Sequence, residues 1–339
     1  MIVDRYYYGR LSETEKAIYK ELYSGCMQHK DVIPIPLKAD ANTDKVCKRV
    51  VSALTEDNPL LYFLNQSLME IAQDANENIA LVPQYFFSED MVEQYNKKIQ
   101  DSANQLIYDL KLTEGSELDK VRTVHDYMCN NIKYSHEGSD VNNINKMITT
   151  HNIMGVFADK EAQCEGIAKA AKVLLNAVDI RCICVGGKAC TDKTTMIDHA
   201  WNIVNIDGNP YQLDITFDLG LSTPGYICYD YYNLSDSQMS KNHKFSTTLP
   251  KCSSKELGYF EQEQLIFKSK GKVLDYIDDQ IAAGAETVYF KLAGKLVIAD
   301  IIDELTDHAN LFRRDEGIEE PHCKQIINEA MNTCRLKFC

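Results

Sequence analysis

An α+β fold is what this sequence predicts, and three observations predict it. Residues 167–178 place Ile167, Ala171, Leu174, Leu175 and Val178 at spacings of three and four, the pattern of a helix that packs by one face. Residues 201–217 read as an antiparallel hairpin, with 201–206 as one strand, Asp207-Gly208 as the turn and 210–217 as the return strand. The stretches on either side, 1–115 and 251–339, read as separate α/β pieces around a central domain at 116–250.

The elements follow in order. Residues 12–29 form an amphipathic helix with Ser12 as N-cap and Glu15 completing a capping box. The stretch 32–37 contains Pro34 and Pro36, so as a strand it belongs at a sheet edge. A helix over 43–55 uses Val46, Val50, Val51 and Leu54, and apolar runs predict strands at 60–64 and 79–87. A long helix over 88–110 starts on Ser88, and the chain breaks at Gly115. The helix over 117–132 leads into the centre with Val121, Val124, Met128 and Ile132 on one face. Residues 140–152 are polar and Asn-rich, hence a loop; 180–186 form a strand with Cys182 and Cys184 on one side. The polar loop 190–198 delivers the chain to His199 and is placed to gate it, and substrate specificity belongs to loops such as this one and 135–155. Beyond 251 come a strand at 265–267, a helix at 272–283, a strand at 287–292, helices at 296–305 and 320–331, and a short strand at 336–338. The order helix, strand, helix ending in Ala53-Leu54-Thr55-Glu56-Asp57-Asn58 recurs at Asp303-Glu304-Leu305-Thr306-Asp307-His308, which suggests an internal repeat of the flanking pieces.

The chemistry gathers in the centre. Cys164 falls at the start of the 167–178 helix, where unpaired N–H groups and the helix dipole favour a thiolate. The return strand alternates: Tyr211, Leu213, Ile215 and Phe217 on an apolar face, Gln212, Asp214, Thr216 and Asp218 on a polar one. With a two-residue turn, 206 faces 209, Asp214 faces Trp201 and His199 faces Thr216, so His199 and Asp214 are diagonal neighbours on one face. That arrangement suits a carboxylate that orients an imidazole, which in turn serves a thiol. Taken alone, Cys164 also fits a core cysteine and Asp214 a solvated strand position. Trp201 packs beside the pair and shields it from water. Tyr134 and Gln163 are each an oxyanion-donor candidate or a packing residue, and the Cys164 backbone N–H is the donor whose direction the helix fixes.

These stretches resemble the transglutaminase-like superfamily, a branch of the papain-like cysteine enzymes. The matching residues are Gly155-Val156-Phe157, Gln163-Cys164-Glu165-Gly166, His199-Ala200-Trp201-Asn202 and Asp214-Ile215-Thr216-Phe217-Asp218. His125-Asp126-Tyr127 with Asn131-Ile132-Lys133-Tyr134 is similar to the lead-in helix, and Tyr232-Asn233-Leu234-Ser235-Asp236 with Met239-Ser240 to the tail of bacterial members. The resemblance covers about 116–245. It implies a cysteine-bearing helix packed on an antiparallel sheet, with Cys164 as nucleophile, His199 as general base and acid, and Asp214 as orienter. Phe217 departs from it, since a Trp is commoner there; the change touches packing.

Composition bounds the rest. The 339 residues are 45% hydrophobic and 25% charged, ordinary globular material able to form two or three domains. A net charge of −14 argues against nucleic acid and anionic membranes as partners. Met1-Ile2-Val3-Asp4-Arg5-Tyr6 lacks the layout of a signal peptide and no run is long enough to span a membrane, so the cytoplasm is the expected compartment. Twelve scattered cysteines read as reduced and buried. Cys182-Ile183-Cys184 with Cys190 lacks zinc spacing, Gly186-Gly187 is too short to cradle phosphate, and no EF-hand occurs, so no metal or cofactor is expected. His125, His136 and His151 take surface or capping roles, and Tyr6-Tyr7-Tyr8 packs. The expected function is cysteine-dependent acyl transfer or hydrolysis on a protein or peptide substrate; the alternative is a catalytically idle interaction scaffold.

Overall fold

The structure is a computed structural model that describes residues 4–136, 144–190 and 194–339. Met1, Ile2 and Val3, residues 140–143 of the first expected loop and 191–193 of the second lie outside the described residues. The chain forms a mixed α+β fold with antiparallel sheets.

The N-terminal part runs α1 (Glu13–Met27), β1 (Ile33–Lys38), α2 (Thr43–Asp57), β2 (Leu64–Gln73) and β3 (Asn78–Tyr85), followed by the long α3 (Glu89–Asp109). Ser12 and Glu15 form the expected capping box. The three strands pair antiparallel in the order β1-β3-β2, which puts the proline-bearing β1 at an edge, as expected. The run 60–64 is not a strand. Pro59 fixes the backbone of a 3-10 turn, Pro59–Leu61, and Leu61, Tyr62 and Phe63 turn into the core before β2 begins. Ser88 is the N-cap of α3 in extended backbone.

The central part runs α4 (Glu117–Asn131), β4 (Lys133–Tyr134), α5 (Ile144–Thr150), β5 (Glu161–Ala162), α6 (Cys164–Ala177), β6 (Cys182–Ala189), β7 (Ile197–Ile206), β8 (Asn209–Leu213), α7 (Ile215–Leu221), α8 (Asp236–Met239) and β9 (His243–Lys244). Its four-stranded sheet has the order β8-β7-β6-β9, antiparallel throughout, and carries α6 on one face. Asn202 Nδ2 fastens that helix to the sheet through the Ala168 and Ile183 carbonyls at 2.9 and 3.2 Å. Helix α5 stands where a loop was expected. Its end is stitched by side chains, Thr150 Oγ1 to Lys146 O at 2.7 Å and His151 Nδ1 to Met147 O at 2.8 Å, so His151 does take a capping role.

The C-terminal part runs α9 (Tyr259–Gln262), β10 (Ile266–Phe267), α10 (Lys270–Ala282), β11 (Thr287–Leu292), α11 (Ile298–Asp315), β12 (Cys323–Asn328) and β13 (Thr333–Phe338). The expected helix at 320–331 is instead β12, paired along its whole length with β13. Cross-strand pairing overrides a weak local helical pattern there.

The repeat seen in sequence extends to topology. Helix, strand, helix, strand, strand occurs as α1-β1-α2-β2-β3 and as α10-β11-α11-β12-β13, with sheet orders β1-β3-β2 and β11-β13-β12. Even a polar contact recurs: Thr55 Oγ1 meets Gln66 Oε1 at 2.7 Å, and Thr306 Oγ1 accepts from Gln325 Nε2 at 2.8 Å. Each glutamine is the third residue of its strand. The two copies are packed differently. Leu54 of the first belongs to one continuous core with Leu174 and Val204 of the central part, whereas Leu305 of the second sits in a separate core with Phe290 and Leu336.

Candidate active site

Gln163 is extended and α6 starts on Cys164, as the sequence predicts. The helix start is pressed against the backbone after α5. A Cβ at Gly166 would stand 2.5 Å from Thr150 O, so only glycine fits there. The half-buried Cys164 thus sits where four backbone N–H groups lack helical partners, a place that favours an anion. The short parallel pair β4–β5 brings Tyr134 alongside: burial, then the nearby Cys164 and Asp214, raise its hydroxyl pKa. Gln163 Nε2 donates to Ser135 O at 3.0 Å.

His199 lies on β7 and is 8% exposed. The register of β7 on β8 is the expected one, with 206 opposite 209 and 202 opposite 213. The return strand nevertheless ends at Leu213 instead of running to 217. Asp214 is the N-cap of α7, and its Oδ1 accepts from Phe217 N at 3.1 Å. Its other oxygen, Oδ2, accepts from His199 Nε2 at 2.6 Å. The polar face of the return strand is therefore interior: Gln212, Asp214 and Asp218 are all fully buried.

The charges are strongly coupled. Burial works to lower the His199 pKa, but the Asp214 carboxylate, with a smaller contribution from a hydrogen bond and charge of Cys164, raises it from 6.5 to about 10. Burial works to raise the Asp214 pKa; the His199 charge and the imidazole hydrogen bonds outweigh it and hold the carboxyl well below its ordinary range. Trp201, 1% exposed, stacks near His199 with centroids 5.8 Å apart and donates from Nε1 to Gln212 Oε1 at 2.7 Å. The Phe217 ring packs 4.9 Å from the His199 ring.

One histidine was missed in sequence and another was misplaced. His243 of β9 also reaches Asp214, with Nε2 3.0 Å from Oδ2; it follows the Met239-Ser240 tail without periodicity, so nothing local marked it. His125 is a correction, since it is fully buried and not at the surface. Its Nδ1 lies 2.9 Å from Asp126 Oδ1 and its Nε2 3.1 Å from Asp218 Oδ2. Its position four after Val121 and three before Met128 on the apolar face of α4 was the available signal. His136 is at the surface, as expected.

Cys129 makes a second thiol–imidazole–carboxylate group, with Sγ 3.7 Å from His125 Nε2. It lies in the last turn of α4, where the dipole disfavours an anion, and burial raises its thiol pKa. Cys164 has the opposite seat. Among the described residues, His199, Asp214 and His243 also offer three ligand-type atoms within 4.8 Å of one another. Two zinc ligands at about 2.0–2.1 Å from a tetrahedral ion stand about 3.3 Å apart, so the 2.6 Å between His199 Nε2 and Asp214 Oδ2 fits a hydrogen bond and not shared coordination.

A cleft of about 410 Å³ opens between the N-terminal and central parts, lined by Asn58, Leu64 and Gln66 on one side and Met147, Asn152 and Glu165 on the other. Glu165 follows Cys164 in the chain; Cys164, His199 and Asp214 are not in the lining.

A solved structure described as a TGase is similar over 55% of this chain and 50% of its own, with 17% identity and a TM-score of 0.30. The kyphoscoliosis peptidase of Mus musculus is 25% identical over 130 residues, which are 36% of this chain and 19% of the mouse protein. The chain thus spans less than a fifth of that relative's length. The family model of the transglutaminase-like superfamily matches residues 104–213, a span that runs from the last turns of α3 to the end of β8, holds Cys164 and His199, and stops one residue short of Asp214. Residues 104–213 of this chain belong to the transglutaminase-like superfamily.

Proposed function

We propose that the chain is a cysteine-dependent enzyme that transfers or hydrolyses acyl groups of peptide or glutamine-type amides. The observation that carries this reading is the 2.6 Å contact between His199 and the buried Asp214, with Cys164, at a helix N-terminus, near enough to His199 to act on its charge. Cys164 attacks the amide carbonyl as a thiolate, and the oxyanion is met by the Cys164 backbone N–H, with Tyr134 and Gln163 as further candidates. His199 gives its proton to the leaving amine, and a thioester remains on Cys164. A water or a second amine, deprotonated by His199, then takes the acyl group and restores the thiol. Asp214 holds the imidazole in orientation, and Trp201 keeps water from the pair.

Burying a carboxylate against imidazoles costs several kcal/mol of desolvation per ion, which a pure scaffold gains nothing from. That supports the enzyme reading over an idle interaction module. The twelve cysteines carry no disulfide, which fits a reducing compartment, and we place the protein in the cytoplasm. Among the described residues no helix is long and apolar enough to cross a membrane. The test is labelling by chloroacetamide at mildly acidic pH, followed by incubation with labelled primary amines and peptide libraries. Labelling that maps to Cys164 supports the reading; equal labelling of wild type and Cys164→Ala overturns it.

A further inference from the structure

Asp214 serves two imidazoles through a single oxygen. Oδ2 accepts from His199 Nε2 at 2.6 Å and from His243 Nε2 at 3.0 Å, while Oδ1 is taken by Phe217 N. The approach of His243 is built into the sheet. Strand β9 joins β6 with Ala189 opposite His243 and Lys188 opposite Lys244. At Gly187, which pairs with His199, a Cβ would stand 2.5 Å from Lys244 O and 2.6 Å from Trp201 Cη2, so a side chain there would push β9 and the indole away.

The far side of the ring is equally fixed. His243 Nδ1 lies 2.8 Å from Asn242 Oδ1. The Asn242 amide is oriented because its Nδ2 donates to Cys190 O and to Tyr231 Oη, at 3.2 and 2.7 Å. Both ring nitrogens are therefore held by polar partners, and Nε2–H is directed at Asp214. The titratable groups facing it are Asp214 at the start of α7, His199 on β7 and Tyr231 in the segment before α8; Trp201 and Phe217 close the box without charge.

We propose that His243 is a positioning residue that draws on the charge of Asp214 and so eases release of the His199 proton. This rests on the reaction proposed above, in which His199 must hand its proton to a leaving amine. A dry carboxylate with no other donor on its oxygen holds an imidazolium proton tightly, and once the proton has left it stays behind as a lone buried anion. A second donor on Oδ2 lessens both effects.

The test follows His199 in the full chain by NMR of 13Cε1-labelled histidine, in wild type, His243→Leu and His243→Gln, with chloroacetamide alkylation of Cys164 measured in parallel. Removing the donor in His243→Leu moves the His199 titration to higher pH, by roughly one unit or more. Glutamine keeps an N–H and brings the shift back at least halfway. If the leucine protein does not fold, an upward shift in the glutamine protein that is smaller than one unit still supports the proposal. No shift, or a downward one, in the variants that fold overturns it. A wild-type Cys164 that resists alkylation refutes the enzyme reading instead, and leaves the coupling of His199 to His243 measurable.

Discussion

His199 Nε2 donates to Asp214 Oδ2 across 2.6 Å although one residue is in a strand and the other caps a helix. The change of element lets the carboxylate satisfy a helix N-terminus with one oxygen and an imidazole with the other. Asp214→Asn keeps the cap but removes the charge, leaving two buried imidazoles without an anion. We expect a loss of about 3–5 kcal/mol in chemical denaturation and at least tenfold slower alkylation of Cys164. An Asn variant as stable and as reactive as wild type contradicts the coupling.

Cys164 and Cys129 each face an imidazole, but only Cys164 sits at a helix start. Cys164→Ala should abolish labelling and leave the circular dichroism spectrum unchanged. Cys129→Ala should stay within about twofold of wild-type labelling, because its seat disfavours the thiolate. Mass-spectrometric mapping of the label to Cys129 would reverse this ranking.

The His199 pKa is raised from 6.5 to about 10 in the fold, so its contribution to stability is complete below about 6.5 and is lost as pH rises through about 10. Asp214 is shifted the other way, and its contribution is present above its ordinary 3.8 and lost as pH falls through its depressed value. The stability gap between wild type and His199→Gln should therefore be wide at pH 6 and narrow at pH 10.5. A gap that is constant between those pH values rules out the raised pKa.

Gly187→Ala places a methyl group 2.5 Å from Lys244 O. Overpacking of this kind costs about 1–3 kcal/mol, and here it also displaces β9 and His243. Melting should drop, and the His199 titration should move in the direction expected for His243→Leu.

The two copies of the repeat give a paired prediction. Leu54→Ala and Leu305→Ala remove equivalent fully buried side chains, each worth about 2–5 kcal/mol. The first opens the core that also holds α6, so Cys164 labelling should fall with it; the second opens a separate core and should leave labelling intact. Equal effects on labelling would show that the cores are not separate.

Much of this was legible in sequence where the cause is local. The Ser12–Glu15 box, the edge position of the proline strand, the start of α6 at Cys164 and the hairpin register all formed as read, because capping, missing N–H donors and turn length act over a few residues. Pairing with β13 made a strand of 323–328, and the core drew Leu61, Tyr62 and Phe63 out of a strand; in both places packing against another element decided what the local pattern did not. His243 was invisible for the same reason, since only the β6–β9 pairing carries it to Asp214.

Helix α7 has seven residues and is pinned at two points one turn apart. Asp214 ties its start to β7 and β9, and Asp218 ties the next turn to His125 in α4 and to the Tyr231 backbone N–H. It works as a rivet between α4 and the strands β7 and β9. Any tilt of the lead-in helix is felt as torque on the carboxylate that aims His199, so the aim of the imidazole is set by α4 as well as by the strands that carry it.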